Sequence, residues 1–337
     1  MTLLIPRSGV RVLSTGSFLP QRTLSAAQLA ARPGSPMTEE EILRLTGIET
    51  RHIVADHEAT SDLAIQAGKE ALARAGNPQI DRLIVSTSSP DYPSPATACI
   101  VQRGLGLAPA ACHDLSAACA GFVFGMDSAA RAVLTTEERV LVIAADIRSR
   151  YVDPDDHGTF ALYGDGAGAA LLGPGPKDEG LLAIYLAADG EGAETIHIPA
   201  GGSRLPASHE TIDAGKHFLH MEAGPMVFLT ALEGMSNAAE ELLKQTGMTL
   251  ADVDLVVPHQ PNRRILDRLI RYMRLDANKL FVNVERTGNM SSASIAVAFD
   301  EATRDPRAKP GSLLLLLTGG AGFCVAAALY RVPKDKS

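Results

Sequence analysis

SDLAIQAGKEALARAGNPQIDRLIVSTSSPD, residues 61–91, has a counterpart further along the chain in FLTALEGMSNAAEELLKQTGMTLADVDLVVPHQPN, residues 228–262. Each stretch reads as an amphipathic helix, a glycine turn, an aspartate and a short apolar strand. Leu63, Ala67, Ala71 and Leu72 recur at helical spacing in the first. Ile84 and Val85 match Val256 and Val257 as buried strand residues. The parallel continues outward. Asp81 precedes Cys119 by nearly the interval that separates Asp254 from Ser291, and each of these opens a segment of small residues. Each half then closes on an apolar run with a glycine cluster, FALYGDGAGAALLG (160–173) and LLLLLTGGAGFCVAAAL (313–329). The breaker cluster GPGP at 173–176 separates them, which divides the chain into residues 1–175 and 176–337. Helices alternating with continuous apolar strands predict an α/β protein with largely parallel sheets covered by helices. Two similar halves predict a pseudo-two-fold, with the site where strand ends meet. The polar, glycine-rich stretch 191–215 is expected to pass over that site.

Composition narrows the function classes. At 337 residues the chain has the length of about two domains and needs no disulfide staples. Acidic residues outnumber basic ones, 39 to 31, which argues against binding nucleic acid through its phosphates. Aromatics are 4% with no Trp, so base-stacking platforms are not expected. The four cysteines form no C-x-x-C pair, giving no support to a zinc or redox motif. The longest apolar stretch, 313–317, is too short to span a bilayer. Pro6 and Arg7 interrupt what would be the apolar run of a signal peptide. A soluble, cytoplasmic protein with reduced thiols, away from membranes, is expected.

Few residues carry chemical promise. Cys119 lies in HDLSAACAGFVFGM, between an extended segment ending at Leu115 and a buried helix predicted over 120–134. A thiol at a helix start feels the positive end of the macrodipole, which favours thiolate; the alternative is a small buried core cysteine. Cys99, Cys112 and Cys324 lack this setting and are expected in the core. His259, in DLVVPHQPN, follows a strand and is flanked by Pro258 and Pro261, which fix the backbone. A histidine there points into a crevice at the strand end. Asn289, in RTGNMSSASIAVAF, serves either as a helix N-cap or as a neutral amide donor to the cleft. GGAG at 319–322 forms a tight turn whose backbone N–H groups can help build an oxyanion hole with that of Cys119. GDGAG at 164–168 superficially matches a dinucleotide fingerprint, but no helix follows it; close packing is its expected role.

Taken in order, Cys119, His259 and Asn289 resemble the thiolase-fold condensing enzymes, most closely the ketoacyl-acyl-carrier-protein synthase III family. The resemblance covers nearly the whole chain: TGSFLP (15–20), TGIETR (46–51), SPATAC (94–99), DLSAACAGF (114–122), YGDGAGA (163–169), HQPN (259–262), GNMSSAS (288–294) and GGAGF (319–323). It implies a duplicated thiolase-like fold of five layers, αβαβα, with two pseudo-symmetric halves, and a homodimer. It implies decarboxylative Claisen condensation of an acyl thioester with a malonyl thioester, in fatty-acid initiation or a specialised pathway. Cys119 would form the acyl-enzyme, and His259 and Asn289 would stabilise the enolate. The backbone of Cys119, Gly320, Ala321 and Gly322 would form the oxyanion hole. Acyl carrier protein would dock at Arg264, assisted by Arg263, and no metal, nucleotide or redox cofactor would be needed. Substrates would arrive as coenzyme A or phosphopantetheine thioesters.

The sequence also departs from the family. Where a Trp commonly clamps adenine, this chain has Glu41, and TEEE at 38–41 reads as a capping box. The usual arginines fall at His157 and Leu45, with Arg44 one residue away. Ser94 stands where a bulky aromatic often limits the starter pocket. A transferase of the same fold passing the acyl group to an amine or hydroxyl without decarboxylation is the alternative. A non-catalytic dimer partner would be expected to lose the nucleophile, and a thiolase would need a second catalytic cysteine, for which Cys324 is poorly placed.

Overall fold

The computed structural model describes residues 1–6, 8–136, 138–222 and 224–334; Arg7 lies outside them. Two five-stranded sheets face each other. The first runs in the order Gly9–Phe18, Asp165–Gly175, Val140–Ile147, Arg82–Ser86, Ala111–Leu115. The second runs Thr2–Leu4, Gly180–Ala188, Cys324–Arg331, Leu313–Gly320, Leu255–Pro258. Thr2–Leu4 therefore joins the second sheet, pairing with Gly180–Ala188. Helices Gly121–Thr136 and Ser292–Ala302 fill the space between the sheets, each packing on strands of both. Thr60–Arg74 and Thr97–Leu105 cover the outer face of the first sheet, and Gly224–Thr246 and Arg263–Met273 that of the second. These are the five αβαβα layers.

The repeated segments take equivalent places. Thr60–Arg74 leads into Arg82–Ser86 as Gly224–Thr246 leads into Leu255–Pro258. Each of these strands pairs in parallel with a central strand, Val140–Ile147 or Leu313–Gly320. Even the edge strand Ala111–Leu115 has a remnant counterpart in a parallel bridge between Val256 and Leu280.

The sheets are mixed, however, and not largely parallel. Asp165–Gly175 is antiparallel to both its neighbours, and Cys324–Arg331 likewise. The continuous apolar runs have another cause: each sheet is covered on both faces, so both side-chain sets of a strand are buried whatever its direction. Leu314 and Leu316 enter the core between the sheets, while Leu313, Leu315 and Leu317 pack under the outer helices. Val140, Val142 and Ala144 against Leu141, Ile143 and Ala145 repeat the pattern.

Glycines of 164–168 serve close packing. A Cβ on Gly168 would lie 2.6 Å from the backbone of Ala296 in the central helix, and one on Gly164 2.5 Å from the carbonyl oxygen of Thr287. The TEEE segment forms the expected capping box, with Thr38 and Glu41 exchanging backbone hydrogen bonds at the start of Glu39–Thr46. The expectation of three core cysteines fails for Cys99, which is exposed, and Cys112 and Cys324 are half-buried. Cys99 and Cys112 instead face each other across the outer helix and the edge strand, sulfurs 3.7 Å apart.

Candidate active site

Cys119 occupies a short 3-10 turn, Ala118–Ala120, that runs directly into the central helix Gly121–Thr136. Ala118, just before it, has φ 45°, a left-handed conformation costly for a residue with a Cβ. The Thr318 hydroxyl donates to the Cys119 carbonyl at 2.8 Å, tying the turn to the central strand of the other sheet. Gly320 stands against it so closely that a Cβ there would lie 2.8 Å from both the Cys119 nitrogen and its Cβ.

His259 follows Leu255–Pro258, and its backbone N–H donates to the Leu317 carbonyl at 2.7 Å. The ring is buried, and among the described residues its Nδ1 has no hydrogen-bond partner. Burial pushes its pKa down to about 3, so the imidazole is neutral near pH 7. Asn289 sits at the turn before Ser292–Ala302, in a parallel bridge with Tyr163. Its Oδ1 accepts the N–H of Ser291 at 2.9 Å, which fixes the amide with its NH2 group as the remaining donor. The N-cap position belongs to Ser291, not Asn289.

Cys119, His259 and Asn289, from both halves of the chain, line one cavity of about 340 Å³. Gly320 and Ala321 line it too; Gly322 does not, and a Cβ on it would lie 3.2 Å from the Cys324 sulfur. Ile196, His197 and Ile198, within the glycine-rich stretch, and Leu219 and Met221 after it form one wall, so that excursion does pass over the site. A second cavity of about 400 Å³ shares Leu162, Met221 and Asn262 with the first and is bordered by Leu45, His157 and Arg264. The two form a passage from an arginine-edged mouth to the sulfur. Ser94 is exposed and borders neither cavity.

Electrostatics at the sulfur differ from the expectation of a lowered thiol pKa. Burial dominates and pushes Cys119 up to about 11, against the hydrogen bond of Ser291 and the charge of Arg148, which pull it down. Ser291 Oγ lies 3.9 Å from the sulfur and 3.3 Å from the hydroxyl of Ser88. Ser88 in turn donates to the fully buried carboxylate of Asp146 at 2.7 Å, and the N–H and hydroxyl of Ser292 bond its other oxygen. Asp146 thus fixes Ser88 and Ser292, and through the Ser88 hydroxyl reaches Ser291, the serine beside the sulfur. Local sequence patterns do not reveal this set. Its one signal was an aspartate inside the apolar strand VLVIAADI, where an unpaired carboxylate would be untenable.

The two candidate docking arginines part ways. Arg263 is spent on Asp267 at 2.8 Å and Glu285 at 2.5 Å, and its stem packs on Gly47. It therefore lacks the free charge expected of a docking residue. Arg264 is exposed at the mouth. Among the described residues, no three His, Cys, Asp or Glu side chains are grouped to hold a metal ion, and no helix is long and apolar enough to cross a membrane.

Comparison with known proteins agrees across sequence and structure. The family model for 3-oxoacyl-[acyl-carrier-protein (ACP)] synthase III matches residues 113–190, and that for its C-terminal part matches 243–332. The chain is 41% identical over 326 residues to a beta-ketoacyl-[acyl-carrier-protein] synthase III of Caldanaerobacter subterraneus, covering 96% of this chain and 98% of that one. It is 42% identical over 325 residues to the protein of the same name from Symbiobacterium thermophilum, with 96% and 98% covered. Among solved structures, 3-oxoacyl-(acyl carrier protein) synthase III from Pseudomonas aeruginosa superposes with a TM-score of 0.89 at 34% identity, covering 97% of this chain and 99% of that one. The priming beta-ketosynthase of the R1128 polyketide pathway gives 0.86 at 33%, with 98% of each covered.

Proposed function

We propose, from the premise that this chain belongs to the 3-oxoacyl-[acyl-carrier-protein] synthase III family, that Cys119, His259 and Asn289 divide its decarboxylative condensation between them. In the first half-reaction the Cys119 sulfur attacks the carbonyl carbon of an acyl thioester. The bond from that carbon to the carrier's sulfur breaks, and the carrier leaves as a thiol with the proton Cys119 gave up. Backbone N–H groups of Cys119 and the Gly320–Ala321 turn stabilise the negative oxygen of the tetrahedral intermediate.

In the second half-reaction a malonyl thioester occupies the passage. Its bond to the terminal carboxylate breaks, carbon dioxide departs, and the electron pair moves onto the thioester oxygen as an enolate. His259 Nε2–H and the Asn289 NH2 group donate hydrogen bonds to that oxygen. Both are neutral, so neither hinders the incoming carboxylate by charge, and both gain strength as the oxygen becomes negative. The enolate carbon then attacks the acyl group and frees the sulfur. These steps require no metal, nucleotide or redox cofactor.

The observation that carries this reading is the freed NH2 of Asn289. Its oxygen is occupied by Ser291, so the side chain faces the same cavity as Cys119 and His259 purely as a donor. Acyl carrier protein is the proposed partner, meeting Arg264 and the rest of a basic helix face. Homodimerisation and a cytoplasmic setting belong to the same proposal, and sedimentation tests the former.

Intact-protein mass spectrometry with labelled malonyl thioester tests the whole. Acylation of Cys119 followed by CO2 release and discharge of the acyl group is expected. Acylation with no CO2 under any malonyl donor would point to simple acyl transfer.

A further inference from the structure

A second arginine, unlike Arg263, is buried inside the acyl cavity itself. Arg148 follows the central strand Val140–Ile147 and is 5% exposed. It lines the same cavity as Cys119 and is near enough for its charge to act on the thiol. Among the described residues its side chain has no carboxylate partner. It makes one hydrogen bond, from Nη1 to the Ser88 hydroxyl at 3.3 Å, and lies over the rings of Tyr151 and Tyr163 at 5.5 and 5.6 Å.

The backbone beneath it is built to hold this position. The Asp165 carboxylate accepts the N–H groups of Arg148 and Ser149 at 2.7 and 2.8 Å. That carboxylate is used on the backbone and on the Ser149 hydroxyl, not on the guanidinium. Arg51 shows how the fold treats a structural buried arginine: it donates to the carbonyls of Ala161 and Ile48 and itself lines neither cavity. A buried cation without an anionic partner is costly. Arg148 therefore reads as one half of a pair whose other half arrives with the ligand.

We propose that Arg148, held in place by the Ser88 hydroxyl that accepts from it, recognises a carboxylate at the far end of the acyl group delivered to Cys119, so that the first substrate is the thioester of a short dicarboxylic acid. This rests on the acyl-Cys119 reading and names its substrate class. "Short" follows from the contacts linking sulfur to guanidinium: Cys119 to Ser291 at 3.9 Å, Ser291 to Ser88 at 3.3 Å, Ser88 to Arg148 at 3.3 Å. The planar guanidinium suits a carboxylate bidentately, while Tyr163 and Leu162 give the methylenes an apolar wall. The malonyl carboxylate is the wrong occupant for this pocket. Pairing it with a cation would stabilise the ground state that decarboxylation must leave. Acyl transfer itself is unchanged: the new thioester forms at Cys119, the old one breaks, and the distal carboxylate takes no part.

The test is acylation of the wild-type protein, followed by intact-protein mass spectrometry without malonyl donor. Succinyl- and glutaryl-coenzyme A are compared with butyryl- and pentanoyl-coenzyme A, and with the same groups on acyl carrier protein. A preference of roughly a hundredfold for a dicarboxylic member is expected, since a site with a buried polar group rejects an analogue that leaves it unpaired. Arg148→Leu should reverse the order, Arg148→Lys should keep part of it, and Ser88→Ala should weaken it. Equal or faster labelling by the monocarboxylic esters overturns the inference while leaving the acyl-enzyme intact. Loss of CO2 release in Arg148→Leu with the acyl preference unchanged also overturns it, assigning the guanidinium to malonyl. Failure of every ester to label Cys119 removes the underlying reading as well. Should Arg148→Leu fail to fold, the wild-type preference and Ser88→Ala still decide.

Discussion

Gly320 and Cys119 touch across the junction of the two halves: a Cβ on the glycine would lie 2.8 Å from the cysteine's nitrogen and Cβ. The contact sets how the sulfur sits relative to the N–H groups of the 320–321 turn. Gly320→Ala should push the nucleophile aside while the surrounding strands hold. Displacements of about 1 Å at a reacting centre cost on the order of 100-fold. Acylation of Cys119 is expected to slow by about that factor, with far-ultraviolet circular dichroism unchanged. Acylation at the wild-type rate would show that this glycine does not set the nucleophile's position.

Burial governs the Cys119 thiol, and the sign of its pH dependence follows. The folded-state pKa is pushed up to about 11, so the free protein carries thiol through the neutral range and gains thiolate as pH rises. Because thiolate is the attacking species, iodoacetamide modification of Cys119 should accelerate by about tenfold per pH unit between pH 6 and 9. A plateau below pH 8 would mean that the helix start and Arg148 outweigh burial. Peptide mapping separates this signal from exposed Cys99.

Much of this was legible in the sequence because the signals were periodic or local. The helix-turn-strand repeat at 61–91 and 228–262 gives the duplication, and Cys119, His259 and Asn289 lie at strand ends or helix starts that local patterns reveal. Strand direction was not legible. Leu313 to Leu317 are buried on both faces by helices above and below, and that burial looks the same in a parallel or antiparallel neighbour. The fate of charged residues was also hidden. Arg263 and Arg264 are adjacent, yet one meets Asp267 and Glu285 while the other faces the mouth. Asp146 and Arg148 acquire meaning only when residues as distant as Ser88 and Ser292 are brought beside them.

Asp146 should prove critical for both stability and chemistry. It is fully buried and accepts from the N–H and hydroxyl of Ser88 and from the N–H and hydroxyl of Ser292. Asp146→Ala would leave two backbone donors and two hydroxyls without their acceptor. With each unsatisfied buried group costing about 1–3 kcal/mol, a loss of about 3 kcal/mol or more is expected. Urea denaturation measures it directly. A change below about 1 kcal/mol would mean that water replaces the carboxylate.

Asn289→Asp probes the second half-reaction in isolation. Asn289 Oδ1 accepts the Ser291 N–H, a bond that a carboxylate oxygen can keep, so the turn should hold. The other oxygen would replace the NH2 donor and turn a stabilising hydrogen bond into repulsion against the enolate. Losing one such donor costs on the order of 100- to 1,000-fold, and CO2 release from malonyl thioester should fall by at least that much. Acyl transfer to Cys119 should be nearly preserved. Equal loss in both half-reactions would place Asn289 in the framework of the site and not in the decarboxylation.

Arg264→Glu tests carrier recognition apart from chemistry. It is exposed at the mouth, in the helix Arg263–Met273, whose Arg264 and Arg271 lie two turns apart on one face. A charge there would meet an acidic carrier in water, so it should act mainly on encounter and be screened by salt. Arg264→Glu should raise KM for malonyl-acyl carrier protein about tenfold or more while leaving kcat close to wild type, and added salt should narrow the difference. The same variant should use malonyl-coenzyme A almost normally, because the small thioester needs only the passage beyond the arginine. A matched loss with both donors would place Arg264 on the shared phosphopantetheine route and move the carrier surface elsewhere on the protein.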